Sequence, residues 1–420
     1  MKTLYIKRNI LCIDLKSFFA SCECVERNLD PFTYPLVVAN PNQGNGAITL
    51  AVTPFLKNQG VKSRSRLYEI PRHVKYTIVP PRMSLYIKKS KEVIGVYLDY
   101  VSEEDLHVYS IDECFLDVTS YLKLYKKNDY ELALEILDTI YKKTGLTATC
   151  GIGPNMLLAK VSMDIEAKHN SDCIAKWTYD DVKTKLWNIS PLSDMWGIGN
   201  RIQKRLNQMK IYSIGDLART DVGVLKDKFG VVGQELWNHA NGIDTSVISD
   251  FKIAAKDKSY SHSQVLFKDY NEENIRIIIE EMVDVLTLRL RTNNKQCNTI
   301  GFGIGYSKDI SGGFYHTTKL DVPTDLSKEI LRYCNIIFDK YYENLPIRKV
   351  TISLGNITPK LGVQLDLFNT VDTIKENEDI NKTIDIIKNK FGKNSLLKAS
   401  NLLSDSTAIE RNKKIGGHNA

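Results

Sequence analysis

The chain has 420 residues and a formal net charge of +7, with 43% hydrophobic and 25% charged residues. That length predicts two to four domains at a soft prior of roughly 100–200 residues each, and the composition excludes a mainly disordered chain. No apolar run approaches the ~18 residues that a membrane-spanning helix needs, so no transmembrane helix is expected.

The opening stretch MKTLYIKRNILCID is basic but moves straight into a strand-like run. It lacks a long apolar core and a small-residue cleavage site, which predicts a cytoplasmic protein without a secretory leader. Eight cysteines include no CxxC pair, and Cys22 and Cys24 are too close for a usual zinc half-site. They read as reduced, buried thiols.

In chain order, residues 9–13 (NILCI) read as a buried strand ending at Asp14, followed by a helical stretch over 17–27. LVVA at 36–39 and AITLAV at 47–52 read as strands around an Asn/Gly-rich turn from Asn40 to Gly46. Between Lys62 and Lys91 stand nine Lys or Arg residues and one acid, Glu69, a one-signed face that favours a polyanion such as nucleic acid. Residues 84–101 have helical periodicity. HVYSID at 107–112 and CFLDV at 114–118 read as two strands with acids at their bend. Residues 129–144 read as an amphipathic helix with Leu132, Leu134, Ile136, Leu137 and Ile140 on its apolar side. TATCGIG at 147–153 is a strand, and a helix runs from Asn155 to Lys168.

Residues 178–248 read as all-helical, and 250–258 as a linker without pattern. From 259 the order is strand, helix (272–292), strand (297–307), strand (314–321), helix (325–342), strand (347–355), a split-βαβ arrangement. After Asn356 the chain reads as polar and irregular for some twenty residues, then helical around Ile380–Phe391.

The acids carry the first chemistry. Asp14 ends one buried strand, and Asp112 and Glu113 lie at the end of another. If these strands are neighbours, three like charges meet. Each pair at about 4 Å costs on the order of 4 kcal/mol at an effective dielectric near 20, so the group takes up protons or holds cations. Oxygen-only ligands favour Mg²⁺. Surface acids at strand ends are the alternative.

The segment Ile13-Asp14-Leu15-Lys16-Ser17-Phe18-Phe19-Ala20-Ser21-Cys22-Glu23 resembles the opening motif of the Y-family translesion DNA polymerases. Ser110-Ile111-Asp112-Glu113-Cys114-Phe115-Leu116-Asp117 resembles their second motif. The likeness extends over nearly the whole chain and is nearest to the UmuC-like SOS-mutagenesis branch of Gram-positive type.

The resemblance implies an α+β multidomain, right-hand polymerase. A ferredoxin-like palm would span 1–20 and 80–175, small fingers 21–79 and a helix-hairpin-helix thumb 176–248. A linker would span 249–258, a split-βαβ little finger 259–358 and a C-terminal tail 359–420. It implies two Mg²⁺ ions held by Asp14, Asp112, Glu113 and the Leu15 carbonyl, clamping an in-line displacement. Asp117 would be structural. Phe19 would be the ring that excludes a 2′-hydroxyl, with Phe18 beside it in the core or the pocket. Lys168 would bind the triphosphate of the dNTP. Lys160 would lie near DNA or on the palm surface. In the fingers the chain departs from the family: Pro54 and Lys57 stand where most members carry a Tyr and an Arg. Lys57 would meet a phosphate as a point charge, and Thr53 would offer a hydroxyl contact.

Asp194-Met195-Trp196-Gly197-Ile198-Gly199-Asn200-Arg201 reads as a tight turn opening a helix. Gly197 and Gly199 would let backbone amides approach a DNA phosphate, and Arg201, Lys204 and Arg205 would add charge. Gly233, Leu236, Trp237, Gly242 and Asp244 would be structural parts of the thumb. Gln364-Leu365-Asp366-Leu367-Phe368 matches the pentapeptide by which bacterial polymerases dock on the sliding clamp, the β subunit. Residues 409–420 resemble the ending of Gram-positive UmuC-like polymerases.

The implied function is error-prone, template-directed synthesis past damaged template/primer DNA in the SOS response. The chain would act as a monomer, with accessory proteins optional and no membrane partner. A non-catalytic DNA- and clamp-binding platform, or another two-metal nucleotidyl transferase such as a cyclase, are the alternatives.

Overall fold

The computed structural model describes residues 5, 7–252, 259–360 and 371–419. It divides into two compact units, Met1–Ala254 with His418–Ala420, and Ala255–Gly417.

The first unit opens with β1 (Ile10–Leu15) and α1 (Phe18–Val25), then β2 (Leu36–Val38), β3 (Ala51–Val52), α2 (Pro54–Asn58), β4 (Thr77–Val79) and α3 (Met83–Leu98). It continues with β5 (Leu106–Val108), β6 (Glu113–Asp117), α4 (Leu122–Tyr125), α5 (Asp129–Thr144), β7 (Ala148–Gly153), α6 (Met156–Ser162) and β8 (Ile174–Lys176). Five strands form a sheet in the order β5-β6-β1-β7-β8. β1 is central and buried on both faces, which is why it reads as an unbroken apolar run. With period two along the strand, Leu11, Ile13 and Leu15 join the core beneath α1, α3 and α5. Ile10 and Cys12 face the other way, into a core with Phe115, Met156, Ala159 and Met163. Asp14 continues that second face. α6 lies so close on β7 that a Cβ at Gly151 would stand 2.0 Å from the Ala159 carbonyl oxygen.

Two expectations are corrected here. The α5 helix has the predicted bounds, but Leu134 is 42% exposed, and Ala133 takes its place in the core. A helical period of 3.6 carries position 134 off the stripe that 132, 136 and 140 share. Of the strand expected at 47–52, only Ala51–Val52 pairs with β2. Ile48 and Thr49 turn to Arg66 and Ser65 instead, through the Thr49 amide to the Ser65 carbonyl at 2.8 Å.

The rest of this unit is helical: α7 (Asp181–Thr184), α8 (Asn200–Gln208), α9 (Ile214–Arg219), α10 (Val222–Phe229) and α11 (Val231–Ala240). These short helices surround a core that includes Trp177, Leu186, Leu206, Leu217 and Leu225. Residues 249–252, expected in the linker, belong to a helical turn that starts at Ile248. Ile248 is buried, and Phe251 stacks on His107 at 4.3 Å.

The second unit contains β9 (Tyr260–Tyr270), α12 (Glu272–Thr292), β10 (Lys295–Tyr306), β11 (Gly313–Thr324), α13 (Ser327–Tyr341), β12 (Ile347–Gly355) and β13 (Thr358–Pro359). The sheet runs β11-β10-β12-β9, with β13 on β10. The helices cover one face, through Ile275, Ile278, Leu286, Ile330 and Phe338 against Phe302, Val350 and Ile352. The predicted element order is present throughout.

The C-terminal segment departs from expectation. A helix already begins at Val371, as α14 (Val371–Phe391), and α15 (Ala408–Asn412) follows. Glu281 on α12 is buried and accepts hydrogen bonds from the Ser406 hydroxyl at 2.6 Å, the Thr407 hydroxyl at 2.9 Å and the Thr407 amide. Arg291 pairs with Asp385 at 2.7 Å, and Lys398 with Glu280 at 2.9 Å. This part of the chain is built into the second unit. The clamp-like pentapeptide Gln364–Phe368 lies outside the described residues.

Candidate active site

The acidic residues meet at one edge of the first sheet. Asp14 on β1 is the direct cross-strand partner of Glu113 on β6, so both side chains stand on the α6 face. Asp112 sits at the bend before β6, where its carboxylate accepts the Ser110 hydroxyl at 2.6 Å. Its carbonyl accepts the Leu15 amide at 3.0 Å, which ties the bend to the end of β1. Burial pushes the Asp14 carboxyl up to about 6, against the opposing pull of Lys168 and with added repulsion from Asp112 and Glu113.

Two lysines neutralise this cluster. Lys168 stands 3.1 Å from Asp14 and 2.8 Å from Asp164. Lys160 stands 2.8 Å from Glu113 and 3.0 Å from Asp164. The alternating chain Glu113, Lys160, Asp164, Lys168, Asp14 therefore joins both strands to α6. The π-type turn Met163–Ala167 extends α6 and keeps residues 160, 164 and 168 on one side. Among the described residues no three acidic, histidine or cysteine side chains close around a common point. The Glu113 carboxylate is drawn to Lys160 and also accepts the Cys12 thiol at 3.2 Å.

Lys160 is thus not on an open palm surface, one of the two places that the sequence suggested. Its side chain is only 9% exposed and is committed to Glu113 and Asp164. The i, i+4 spacing of 160, 164 and 168 was the available signal. Lys160→Met is expected to destabilise the first unit by about 3–5 kcal/mol, because it strands a buried carboxylate. The shift in urea midpoint measures this, and an unchanged midpoint would show that Glu113 finds water instead.

The two aromatic residues divide their roles. Phe18 is buried in the core, whereas Phe19 is half-buried and stacks on Tyr86 at 4.4 Å with 15° between the rings. Ser17, at φ 50° and ψ 42°, makes the sharp left-handed turn that starts α1 directly after β1. Lys57 on α2 is exposed overall and lies within electrostatic reach of Asp14, Asp112 and Lys168. Pro54 has a local explanation: it is the first residue of α2, where its missing amide costs nothing. The Thr53 hydroxyl is already spent within the fold, donating to the Tyr34 carbonyl at 2.9 Å and accepting the Leu36 amide. Asp117 accepts from the Thr119 amide at 3.0 Å and serves the turn.

In the helical part, Gly197 has φ +91° and Gly199 caps α8. Nothing lies within 4 Å of a Cβ built at either position, so no neighbour in the chain demands Gly199. Arg201 and Lys204 are exposed, while Arg205 donates to the Lys228 carbonyl at 2.6 Å and lies over Phe229. Leu236 is buried, and Asp244 accepts the Leu157 amide at 3.1 Å. A Cβ at Gly233 would stand 2.1 Å from the Leu225 carbonyl oxygen.

Residues 13–164 match the impB/mucB/samB family, residues 257–367 the C-terminal domain of that family, and residues 179–211 its HHH motif. The chain is 40% identical over 415 residues to UvrX of Bacillus subtilis (strain 168), whose name refers to UV-damage repair, with 98% of each chain covered. It is 32% identical to a protein of the same organism named DNA polymerase IV 2, covering 97% of this chain and 98% of that one. In fold it is similar to a Y-family DNA polymerase chimera, Dbh-Dpo4(243-245)-Dbh, with a TM-score of 0.66, 20% identity and coverage of 84% of this chain and 99% of that one. No helix among the described residues is long and apolar enough to cross a membrane. With these matches spanning both units, the chain belongs to the impB/mucB/samB family, the Y-family DNA polymerases.

Proposed function

We propose that this chain, a DNA-directed DNA polymerase by family, extends a primer across damaged template with low fidelity by two-metal nucleotidyl transfer. The observation that carries the reading is the cross-strand pair of Asp14 and Glu113 with Asp112 at the adjoining bend. The donors are carboxylate and carbonyl oxygens, the set that suits Mg²⁺, and the cluster already draws the Lys168 ammonium to Asp14. Bound by Asp14, Asp112, Glu113 and the Leu15 carbonyl, two Mg²⁺ ions would activate the primer 3′-hydroxyl and stabilise the departing pyrophosphate.

The chain's own residues do the rest. Lys168, released from Asp14, takes a phosphate of the incoming dNTP, and Lys57 adds a second positive charge at the same mouth. The Phe19 ring lies under the sugar and excludes a 2′-hydroxyl by clash. The open backbone at Gly197 and Gly199 receives a DNA phosphate, with Arg201, Lys204 and Arg205 around it. Residues 1–20 and 80–175 act as palm, 21–79 as fingers, 176–248 as thumb and 259–358 as little finger. The pentapeptide Gln364–Phe368 docks on the sliding clamp. The enzyme works in the cytoplasm as a monomer in the SOS response, with accessory proteins as added factors.

Primer extension with Mg²⁺ and dNTPs on intact and lesion-bearing templates tests this. Binding of DNA without extension would instead identify a non-catalytic platform. Phe19→Ala is expected to lower the preference for dNTP over rNTP by at least tenfold, on the scale of a clash removed from a specificity pocket. An unchanged ratio in single-nucleotide insertion would make Phe19 a packing residue only.

A further inference from the structure

The acids and the proposed phosphate grip stand on different parts of the first unit, the sheet and the short helices. One contact between these parts is buried. Asn155, which caps α6, donates to the Gly242 carbonyl at 2.9 Å, and Asp244 accepts the Leu157 amide at 3.1 Å. Asn155 and Asp244 are both buried, so this contact is costly to break and holds the two parts together.

A second contact is open to solvent. The Trp196 indole N–H donates to the Tyr109 hydroxyl at 3.1 Å, and the two rings meet edge-on at 5.9 Å. Tyr109 is 46% exposed, so water competes for both groups and the bond adds little to stability. Its place in the chain gives it another use. The Tyr109 and Ser110 amides both donate to the Glu113 carbonyl at 3.0 Å, so Tyr109 belongs to the bend that carries Asp112. Both rings also lie against Phe115, Tyr109 at 5.8 Å and Trp196 at 6.1 Å. Phe115 is the next residue after Glu113 on the α6 face of β6. On the helical side, Trp196 directly precedes Gly197. Met195 and Ile198 are buried in the helical core, and the Ile198 amide closes the turn on the Met195 carbonyl at 3.1 Å. His239 of α11 lies parallel to the indole at 6.4 Å and 6°. Trp196 is thus held from both parts, one residue from the grip and one bend from the acids.

We propose that Tyr109 and Trp196 are positioning residues for primer extension. Their contact sets the distance between a DNA phosphate held at Gly197 and Gly199 and the carboxylates of Asp14, Asp112 and Glu113. Neither residue touches the reacting atoms. Misplacement of a reacting group by about 1 Å can cost on the order of a hundredfold in rate. A loosened turn therefore slows the chemical step while the phosphate contacts, and with them the affinity for DNA, remain. This inference rests on the proposed polymerase reading and adds to it what keeps the grip in register with the acids.

The test is single-turnover extension by the full chain at saturating primer–template and dNTP, comparing Tyr109→Phe, Trp196→Phe and the double variant with the parent. Each replacement keeps an aromatic ring and loses the hydrogen bond. Each single variant is expected to extend about fivefold more slowly, while Kd for primer–template stays within about twofold and the urea midpoint stays parental. A merely structural role would move the midpoint or the DNA affinity and would not give this split. Both replacements remove the same contact, so the double variant should be no slower than the slower single variant. Parental rates in both single variants would refute the proposal. Losses that multiply in the double variant would show that the two residues act separately and would refute it too. A fall in DNA affinity as large as the fall in rate would mean that the grip itself is damaged, again against it. If the parent chain does not extend primers, the polymerase reading fails first and the positioning role falls with it.

Discussion

Asp112→Ala is expected to abolish primer extension while leaving binding to primer–template DNA within about threefold of the parent, since DNA affinity comes from phosphate contacts elsewhere. Asp112 stands at the bend before β6 with one hydroxyl partner, Ser110, so its loss perturbs the fold little. What it removes is one of three carboxylates proposed to hold the ions that carry charge in the transition state. Loss of such a group from a closed site lowers kcat on the order of a thousandfold. Glu113→Ala should do the same to extension, with an added cost in stability because Lys160 keeps only Asp164 as a partner. Single-turnover extension and a filter-binding titration on the same preparation separate chemistry from DNA grip. Extension within tenfold of the parent for Asp112→Ala would overturn the metal assignment, and loss of both activities together would point to misfolding.

The acidic cluster was legible because it rests on local rules. A strand buried on both faces has to be apolar, so the first acid after NILCI marks where that strand reaches an edge, and Asp14 does so. Glu113 likewise starts β6 and Asp112 stands at the bend before it, although the strand expected over 107–112 already ends at Val108. The split-βαβ order of the second unit followed from alternation and period in the same way. What failed was whatever depends on a partner distant in sequence. Lys160 looked like any basic residue on a helix, and only the fold reveals that α6 turns it toward Glu113. Arg82 belongs to a one-signed basic stretch, yet its charge is spent on Glu23, 59 positions earlier. The C-terminal segment looked polar and loose because its contacts with the second unit are polar: Thr407 on Glu281 and Gln264, Asp385 on Arg291. Hydrophobic patterning is blind to a segment held by hydrogen bonds.

The pentapeptide Gln364–Phe368 stands between Lys360, which pairs with Asp325 at 3.0 Å, and α14, whose Asp385 is held by Arg291. Both flanks are therefore tied to the second unit, and replacing side chains within the pentapeptide should leave that unit folded. Leu367→Ala with Phe368→Ala is expected to leave distributive synthesis on a short primer intact and to remove stimulation by the sliding clamp. The clamp would act by tethering, which raises the effective concentration at the primer end without new contacts at the acids. Buried apolar anchors dominate such small interfaces. Burial of each of the two side chains contributes roughly 1.5–3 kcal/mol, so the double replacement should weaken clamp binding by on the order of a hundredfold or more. Gln364 is left in place, so its polar contacts cannot account for the change. Clamp affinity and clamp-dependent product length, measured on the same double variant, give the answer. Parental affinity would mean that any clamp contact lies elsewhere in the chain, and loss of unstimulated synthesis would mean that the two side chains support the fold.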